Sequence, residues 1–249
     1  MELYKLTDEI SKSIVAGIMK GYKSYLKERI QKNEELIISN AYAWVKGNHI
    51  DHYVAEESKA FGITYMKAKA GYSWGYLQFK NTDEKFLFLI KSSTSIEKDK
   101  GKQSKKHPDN YIEKLAKINS NILFPTETTS KNEQMELRLF DNVPMNDIIS
   151  EDDIENLNKE EFERFYIVTY TLDENKMISD ISLTLPHPED INNLYKVDSW
   201  NRYFDKVDID FSTEDFNGIR DDKEIETQIS IGDYGIVIDE ADKASDTES

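Results

Sequence analysis

The spacing of apolar residues predicts a long helix at the start of the chain. Over residues 8–35, apolar side chains recur every three or four positions, which is the period of an amphipathic helix. Thr7 stands just before this segment and is a suitable N-cap residue. The inner face of the predicted helix contains Ile10, Ile14, Ile18, Tyr22 and Leu26.

Gly17 and Gly21 interrupt this predicted helix one turn apart. Each glycine weakens a helix interior by up to about 1 kcal/mol relative to alanine. Two interpretations are open: the pair allows another element to approach closely, or it is simply tolerated.

Two further helical segments are predicted before the pattern changes. The first covers residues 35–46 and the second covers residues 49–60. Gly47 separates them, Asn48 is the expected N-cap of the second, and Gly62 is its expected stop signal.

The next segments are short, rich in aromatic residues and separated by turn-forming residues. Residues 63–70, 73–80 and 85–91 therefore predict an antiparallel meander. The run Phe86–Ile90 is apolar at every position, which predicts a strand that is buried on both faces.

A helix and a hairpin are predicted in the rest of the chain. Pro108 opens a helical pattern over residues 109–118, with an apolar stripe at three- and four-residue steps. Alternation over residues 165–185, with a turn at 173–176, predicts a β-hairpin. Further on, Asp198 and Arg202 have the i,i+4 spacing of an ion pair.

These elements together predict an α+β fold, with N-terminal helices packed on an antiparallel sheet and a second, acidic β-rich lobe. Residues 1–124 would form the helical and meander lobe, and residues 125–240 the acidic hairpin lobe of the same domain. Ile225–Ile238 would add two short strands. The polar residues 241–249 are expected to be disordered.

Composition narrows the functional classes. There is no cysteine, which excludes disulfides and thiolate chemistry and fits a reducing cytoplasm. No apolar run approaches the length of a membrane span, so no membrane association is expected. No glycine-rich phosphate cradle is present, and the sequence predicts no cofactor.

The net charge of −16 hides a strong asymmetry between the two halves of the chain. Residues 1–120 hold 21 lysines and arginines against 15 acids, whereas residues 121–249 hold 11 against 33. The first half is therefore a candidate for contact with nucleic acid, while the second half would repel it. Alternatively, two solvated surfaces simply differ in sign.

A polar segment over residues 92–107 concentrates much of the positive charge. It leads into the start of the predicted 109–118 helix, and such an arrangement recurs in anion sites. A solvated loop is the alternative. The candidate residues for contact with a phosphate or a protein partner are Lys98, Lys100, Lys102, Lys105 and Lys106.

The densest group of chemically capable residues is the segment Asn40–Tyr53, NAYAWVKGNHIDHY. His49 and His52 are three positions apart, so on a helix both lie on one face. Asp51 stands beside them. These three residues are the candidate catalytic group of the chain.

Three interpretations of this group remain open. A His-x-x-His pair with a carboxylate could bind a metal, but without a third clear ligand the signal is weak, and no metal is predicted. Acid–base chemistry would use a histidine that titrates near neutral pH and an aspartate that orients it. A structural role would leave the histidines hydrogen-bonded to neighbours and Asp51 as a helix cap.

Four segments carry a resemblance to a known family. They are NAYAWVKGNHIDHYVA, the meander, the lysine-rich segment with HPDNYIEKLAKIN, and the hairpin VTYTLDENKMISDISLTLP. Together these segments, within residues 8–210, resemble a family of bacterial toxins described as ClpXP-sensitive.

The resemblance implies a cytoplasmic toxin of a toxin–antitoxin system that serves in phage defence. Its partners would be the ClpXP protease and an antitoxin encoded by the neighbouring gene, which joins a helix-turn-helix to a zinc-peptidase-like domain. The HExxH motif of a zinc peptidase is absent from this chain. The resemblance supplies no catalytic residue.

An enzyme that processes nucleic acids or nucleotides is the alternative function. The basic first half would hold phosphates while His49, Asp51 or His52 moved a proton. Such proton transfer typically contributes 10²–10⁴-fold to a rate. A toxin can also be an enzyme, so the two hypotheses are compatible.

Overall fold

The N-terminal helix covers the residues that its apolar spacing predicts. Helix α1 extends over Asp8–Glu35, and the side-chain oxygen of Thr7 accepts the backbone N–H of Ile10 at 3.4 Å. The predicted helix and its cap are confirmed.

The computed structural model describes residues 2–70, 74–93, 111–124, 135–136, 162–190 and 193–219.

Some predicted features lie outside the described residues. They are the strand pair at 225–238, the tail at 241–249 and the five lysines Lys98, Lys100, Lys102, Lys105 and Lys106.

The helix predicted over residues 35–46 is present only as a 3₁₀ helix at Asn40–Val45. The next predicted helix starts earlier than expected, since helix α2 covers Lys46–Ser58 and follows directly on that 3₁₀ helix. Asn48 is therefore inside α2 and is not its N-cap; Val45 holds that position without a side-chain hydrogen bond. Because the preceding 3₁₀ turn leads straight into α2, no capping side chain marks its start.

The end of the second helix agrees with the prediction. A 3₁₀ turn at Lys59–Phe61 continues α2, and Gly62 ends it with a φ of 75°. This left-handed conformation favours glycine.

The glycine pair of α1 allows α2 to approach closely. A Cβ atom on Gly17 would lie 2.5 Å from the Cα of Val54, and one on Gly21 would lie 2.5 Å from the Cα of Ile50. Both distances are shorter than any tolerated carbon–carbon contact. The close-approach interpretation of the two glycines is confirmed.

The strands form one mixed sheet, in which the predicted meander and hairpin are both present. The strands are β1 (Thr64–Ala70), β2 (Trp74–Asn81), β3 (Phe86–Ser93), β4 (Met135–Glu136), β5 (Arg164–Leu172), β6 (Ile178–Pro186) and β7 (Asn193–Ser199). Their order across the sheet is β1-β2-β3-β5-β6-β7-β4.

One pairing departs from the predicted antiparallel arrangement. Strand β3 pairs with β5 in parallel, from Phe86 opposite Arg164 to Ser93 opposite Thr171. A parallel pair needs a long crossover connection, and here that connection includes helix α3 at Tyr111–Ala116. The sheet is therefore mixed and draws strands from both predicted lobes, within the α+β class that the sequence predicts.

Each face of the sheet is covered by helices. Helices α1 and α2 pack on one face, where Phe79, Phe88 and Val168 belong to the main apolar cluster. Helix α3 packs on the other face against Leu87 and Leu89. The prediction that the sheet packs on α1, and that β3 is buried on both faces, is confirmed.

The predicted ion pair near the end of β7 is also present. Arg202, in a 3₁₀ helix at Asn201–Lys206, donates to both carboxylate oxygens of Asp198 at 3.0 and 2.8 Å. Among the described residues, no helix is long and apolar enough to cross a membrane.

Candidate functional site

Strands β2 and β3 separate along much of their length. Their pairing is confined to three positions, from Phe79 opposite Phe88 to Asn81 opposite Phe86. The rest of β2, from Trp74 to Gln78, pairs with β1. The sheet therefore opens on the side where α2 lies over β2.

Asp51 of α2 reaches into this opening. Its Oδ2 atom accepts the backbone N–H of Leu77, in β2, at 2.9 Å. A side chain thus replaces a neighbouring strand as the partner of this N–H. In the described part of the chain, Oδ1 of Asp51 has no hydrogen-bond partner.

The surroundings of Asp51 bring its pKa close to neutral pH. Burial is the largest cause and raises the pKa from 3.8 to about 6, while the Leu77 N–H and the charge of Lys91 oppose it. The residue nevertheless remains partly accessible to solvent. This carboxyl group can therefore both accept and release a proton near physiological pH.

Lys91 approaches the opening from the other side of the sheet. It lies on β3, and its Nζ atom donates to the Tyr111 hydroxyl at 2.7 Å. The same ammonium group lies 5.5 Å from the centre of the Tyr76 ring and 5.4 Å from that of Tyr111. Two aromatic faces therefore hold a fixed positive charge behind Asp51.

Tyr170 of β5 adds a protonated hydroxyl to the same environment. Burial is the main cause that raises its pKa, and the charge of Asp51 raises it further, whereas a hydrogen bond to Ser92 lowers it. The hydroxyl therefore remains protonated at any physiological pH.

A surface groove of about 390 Å³ gives access to Asp51. It lies between α2 and the outer strands β1 and β2, and we call it the Asp51 groove. Tyr65 is 48% exposed there and offers an aromatic face. The polar residues that line the groove are Asn48, Asp51, His52, Glu56, Tyr65, Lys67 and Tyr76.

The two predicted site histidines face different surroundings. Nδ1 of His49 lies 3.0 Å from Oγ of Ser24, and its ring meets the Tyr25 ring edge-on, so it faces α1. Burial lowers the pKa of His49, partly offset by Glu28. His52 is exposed and lines the Asp51 groove.

The structure thus brings together Asp51 and His52 in one groove and directs His49 to a helix–helix contact. Asp51 does not cap α2, because it lies in the second turn and binds β2. Across the described ranges, no three histidine or acidic side chains are grouped so that they could hold a metal ion.

Several residues of the site were missed from the sequence. Leu77 contributes only a backbone N–H, which no residue pattern marks. Tyr76, Tyr111 and Tyr170 belong to three separate segments that resemble ordinary strand or helix faces. Lys91 had a detectable signal, since it is the first charged residue after the apolar run of β3.

Comparison with known proteins yields one finding. A model of a family of unknown function, DUF5986, matches residues 3–235 of the chain. No curated protein and no solved structure matches the chain.

Proposed function

We propose that this chain, which belongs to the DUF5986 family, is the toxin component of a bacterial toxin–antitoxin system. Its growth-inhibiting activity would depend on Asp51. The single observation that supports a chemical activity is a carboxyl group with a pKa of about 6 at an accessible groove. The sequence resemblance described above supports the toxin assignment.

The chemistry that we infer is proton transfer by Asp51. Its Oδ2 is fixed by the Leu77 N–H, which leaves Oδ1 to meet a bound molecule. His52 lines the same groove and offers an imidazole ring to the bound molecule. A carboxyl group with a pKa near the working pH is suited to act as a general base or a general acid.

The partners follow from the same proposal. An antitoxin that joins a helix-turn-helix to a zinc-peptidase-like domain would neutralise the chain, and the ClpXP protease would clear it. The toxin would act in the cytoplasm and serve in phage defence.

The direct test is growth of a bacterial host in which the chain is expressed from an inducible promoter, with and without the neighbouring gene. We expect the chain alone to arrest growth and co-expression of the neighbouring antitoxin gene to restore it. Asp51→Asn should abolish the arrest, because asparagine keeps the shape and an oxygen for the Leu77 N–H but cannot exchange a proton.

The matched control is Asp83→Asn, which removes an exposed carboxylate from the turn between β2 and β3. It should arrest growth as the wild type does at equal protein level. The proposal fails if the wild-type chain leaves growth unchanged and does not bind the antitoxin. Arrest by Asp51→Asn at wild-type strength would remove Asp51 from the proposal.

A second function, processing of nucleic acids or nucleotides, is favoured by the lining of the Asp51 groove. Lys67 is an exposed cation on β1, and Tyr65 offers a face on which a base could stack. Binding of single-stranded RNA should then fall steeply with salt. Lys67→Gln should weaken it, whereas Lys59→Gln, an exposed lysine outside the groove, should not.

A further inference from the structure

Two adjoining cavities lie beside the turn between β5 and β6. Their volumes are about 450 and 560 Å³, and both are lined by Met177 and Phe211. We treat them as one surface and call it the Met177 groove. It shares no lining residue with the Asp51 groove.

The floor of the Met177 groove is apolar. Ile178, Val207, Ile209 and Phe211 are partly buried and pack against the main apolar cluster. Met177 is 42% exposed above them. A flexible, accessible methionine on such a floor suits the binding of apolar side chains from another molecule.

The rim of the groove is acidic. Glu174, Asp205, Asp208 and Asp210 are exposed, and none of them forms an ion pair with another described residue. Along residues 207–211, half-buried apolar residues alternate with exposed aspartates. The same segment thus supplies both the apolar floor and the negative rim.

The groove is held in a fixed position by α1. Lys23 of α1 donates a hydrogen bond to the backbone carbonyl of Asp210, and its Nζ lies 3.9 Å from the carboxylate of Asp215. Tyr22 of α1 donates to the carbonyl of Lys176 at 2.5 Å. Both sides of the groove therefore rest on one rigid helix, and the surface is preformed.

We propose that the Met177 groove docks a basic amphipathic segment of a partner protein. The apolar side of that segment would fill the floor, and its lysines or arginines would neutralise the carboxylates of the rim. Charge complementarity selects this occupant, since the lining holds four acids, which have no ion-pair partner among the described residues, and two lysines, Lys176 and Lys206. The assignment does not depend on toxicity and goes beyond the proposed function.

The test measures binding of labelled synthetic peptides to the full chain by fluorescence anisotropy. The probe is a 14-residue peptide of leucine and lysine with the leucines at helical spacing. The comparison peptide replaces every leucine with glycine and keeps the charge. We expect the leucine peptide to bind at least about tenfold more tightly, which corresponds to about 1.4 kcal/mol.

Variants of the chain locate the binding. Removal of the rim charges by Asp205→Asn, Asp208→Asn and Asp210→Asn together should weaken binding of the leucine peptide at least tenfold. Met177→Ser should weaken it several-fold through loss of apolar contact. The matched control removes three exposed acids elsewhere, Glu9→Gln, Glu34→Gln and Asp83→Asn, and should leave the affinity unchanged.

Four outcomes would overturn the proposal. Equal binding of the two peptides would show charge attraction alone, and an equal loss in the control variant would show attraction to the whole acidic chain. Tighter binding of the leucine peptide, but not of the glycine peptide, after replacement of the chain's own lysines at 98, 100, 102, 105 and 106 by glutamine would make that segment the occupant. A dimer in sedimentation that Met177→Ser dissolves would make a second copy the occupant.

Discussion

Helix α2 has two faces that serve different purposes. The face toward α1 is closed: Ile50 and Val54 touch the backbone of α1 at Gly21 and Gly17, and His49 meets Ser24. The face toward the sheet is open, and there Asp51 and His52 line a groove. On this one short helix, His49 therefore takes part in packing, whereas Asp51 and His52 are the candidates for chemistry.

The difference shows how the fold can hold a raised carboxyl pKa. Close packing on α1 holds α2 in place. The face toward the sheet can then place Asp51 in a partly buried position where ionisation is unfavourable.

The largest effect should come from the closed face. Gly17→Ala or Gly21→Ala places a methyl group 2.5 Å from a Cα atom of α2, and the backbone must move. We expect a loss of about 3 kcal/mol of unfolding free energy, at the upper end for overpacked cores. Urea unfolding of the purified variants measures it.

Gly47→Ala is the matched control for this prediction, since a Cβ there meets nothing within 4 Å. It should leave the protein as stable or raise its stability by up to about 1 kcal/mol. Equal stability of the Gly17, Gly21 and Gly47 variants would contradict the close packing of the two helices.

The next effect is pH-dependent and belongs to the open face. Because the pKa of Asp51 is higher in the folded state than in the unfolded state, protonation of Asp51 stabilises the fold. This stabilisation is fully present below pH 3.8 and is lost as the pH rises through about 6. Asp51→Asn should therefore be more stable than the wild type at pH 7.5 by about 2 kcal/mol, and equally stable near pH 4.

Urea unfolding of both proteins across this pH range gives the difference directly. The comparison removes the contribution of the other acids, which both proteins share. A difference that does not change with pH would show that the pKa of Asp51 is ordinary.

The smallest effects should distinguish the two histidines. His49→Ala removes the contact with Ser24 and a half-buried ring, and should cost about 1–2 kcal/mol. His52→Ala removes an exposed ring and should cost less than about 0.5 kcal/mol. Thermal unfolding measures both losses of stability. A larger loss for His52→Ala than for His49→Ala would contradict the assignment of His49 to the closed face and of His52 to the open face.

Growth inhibition gives a second test of the two histidines. If His52 takes part in chemistry, His52→Ala should lose toxicity while its melting temperature stays near the wild-type value. His49→Ala should lose toxicity only as far as folding fails. Full toxicity of His52→Ala would leave Asp51 as the only predicted residue in the groove with a chemical role.

Much of the fold could be predicted from local pattern. Thr7, the apolar period of α1, Gly62 and the alternation of β5 and β6 each act through their immediate neighbours in the chain. The cap of α2 was misplaced for a local reason as well: Asn48 is a good cap residue, but the preceding 3₁₀ turn carries the chain into the helix three residues earlier.

The candidate site was predicted only in part. The sequence singled out Asp51 and His52 because acidic residues and histidines can do chemistry wherever they stand. It placed His49 with them because three-residue spacing sets a helix face, but spacing does not tell which neighbour that face meets. The direction of each side chain depended on where α1 and β2 lie.

Spacing and short-range backbone preferences were enough to predict α1, the end of α2, most strands and the α+β class. The parallel pairing of β3 with β5, the opening between β2 and β3, and the environment that raises the pKa of Asp51 arise only from contacts between distant segments. The physical reason is that burial and charge depend on groups such as Leu77, Lys91 and Tyr170, which are distant in sequence and meet only after folding.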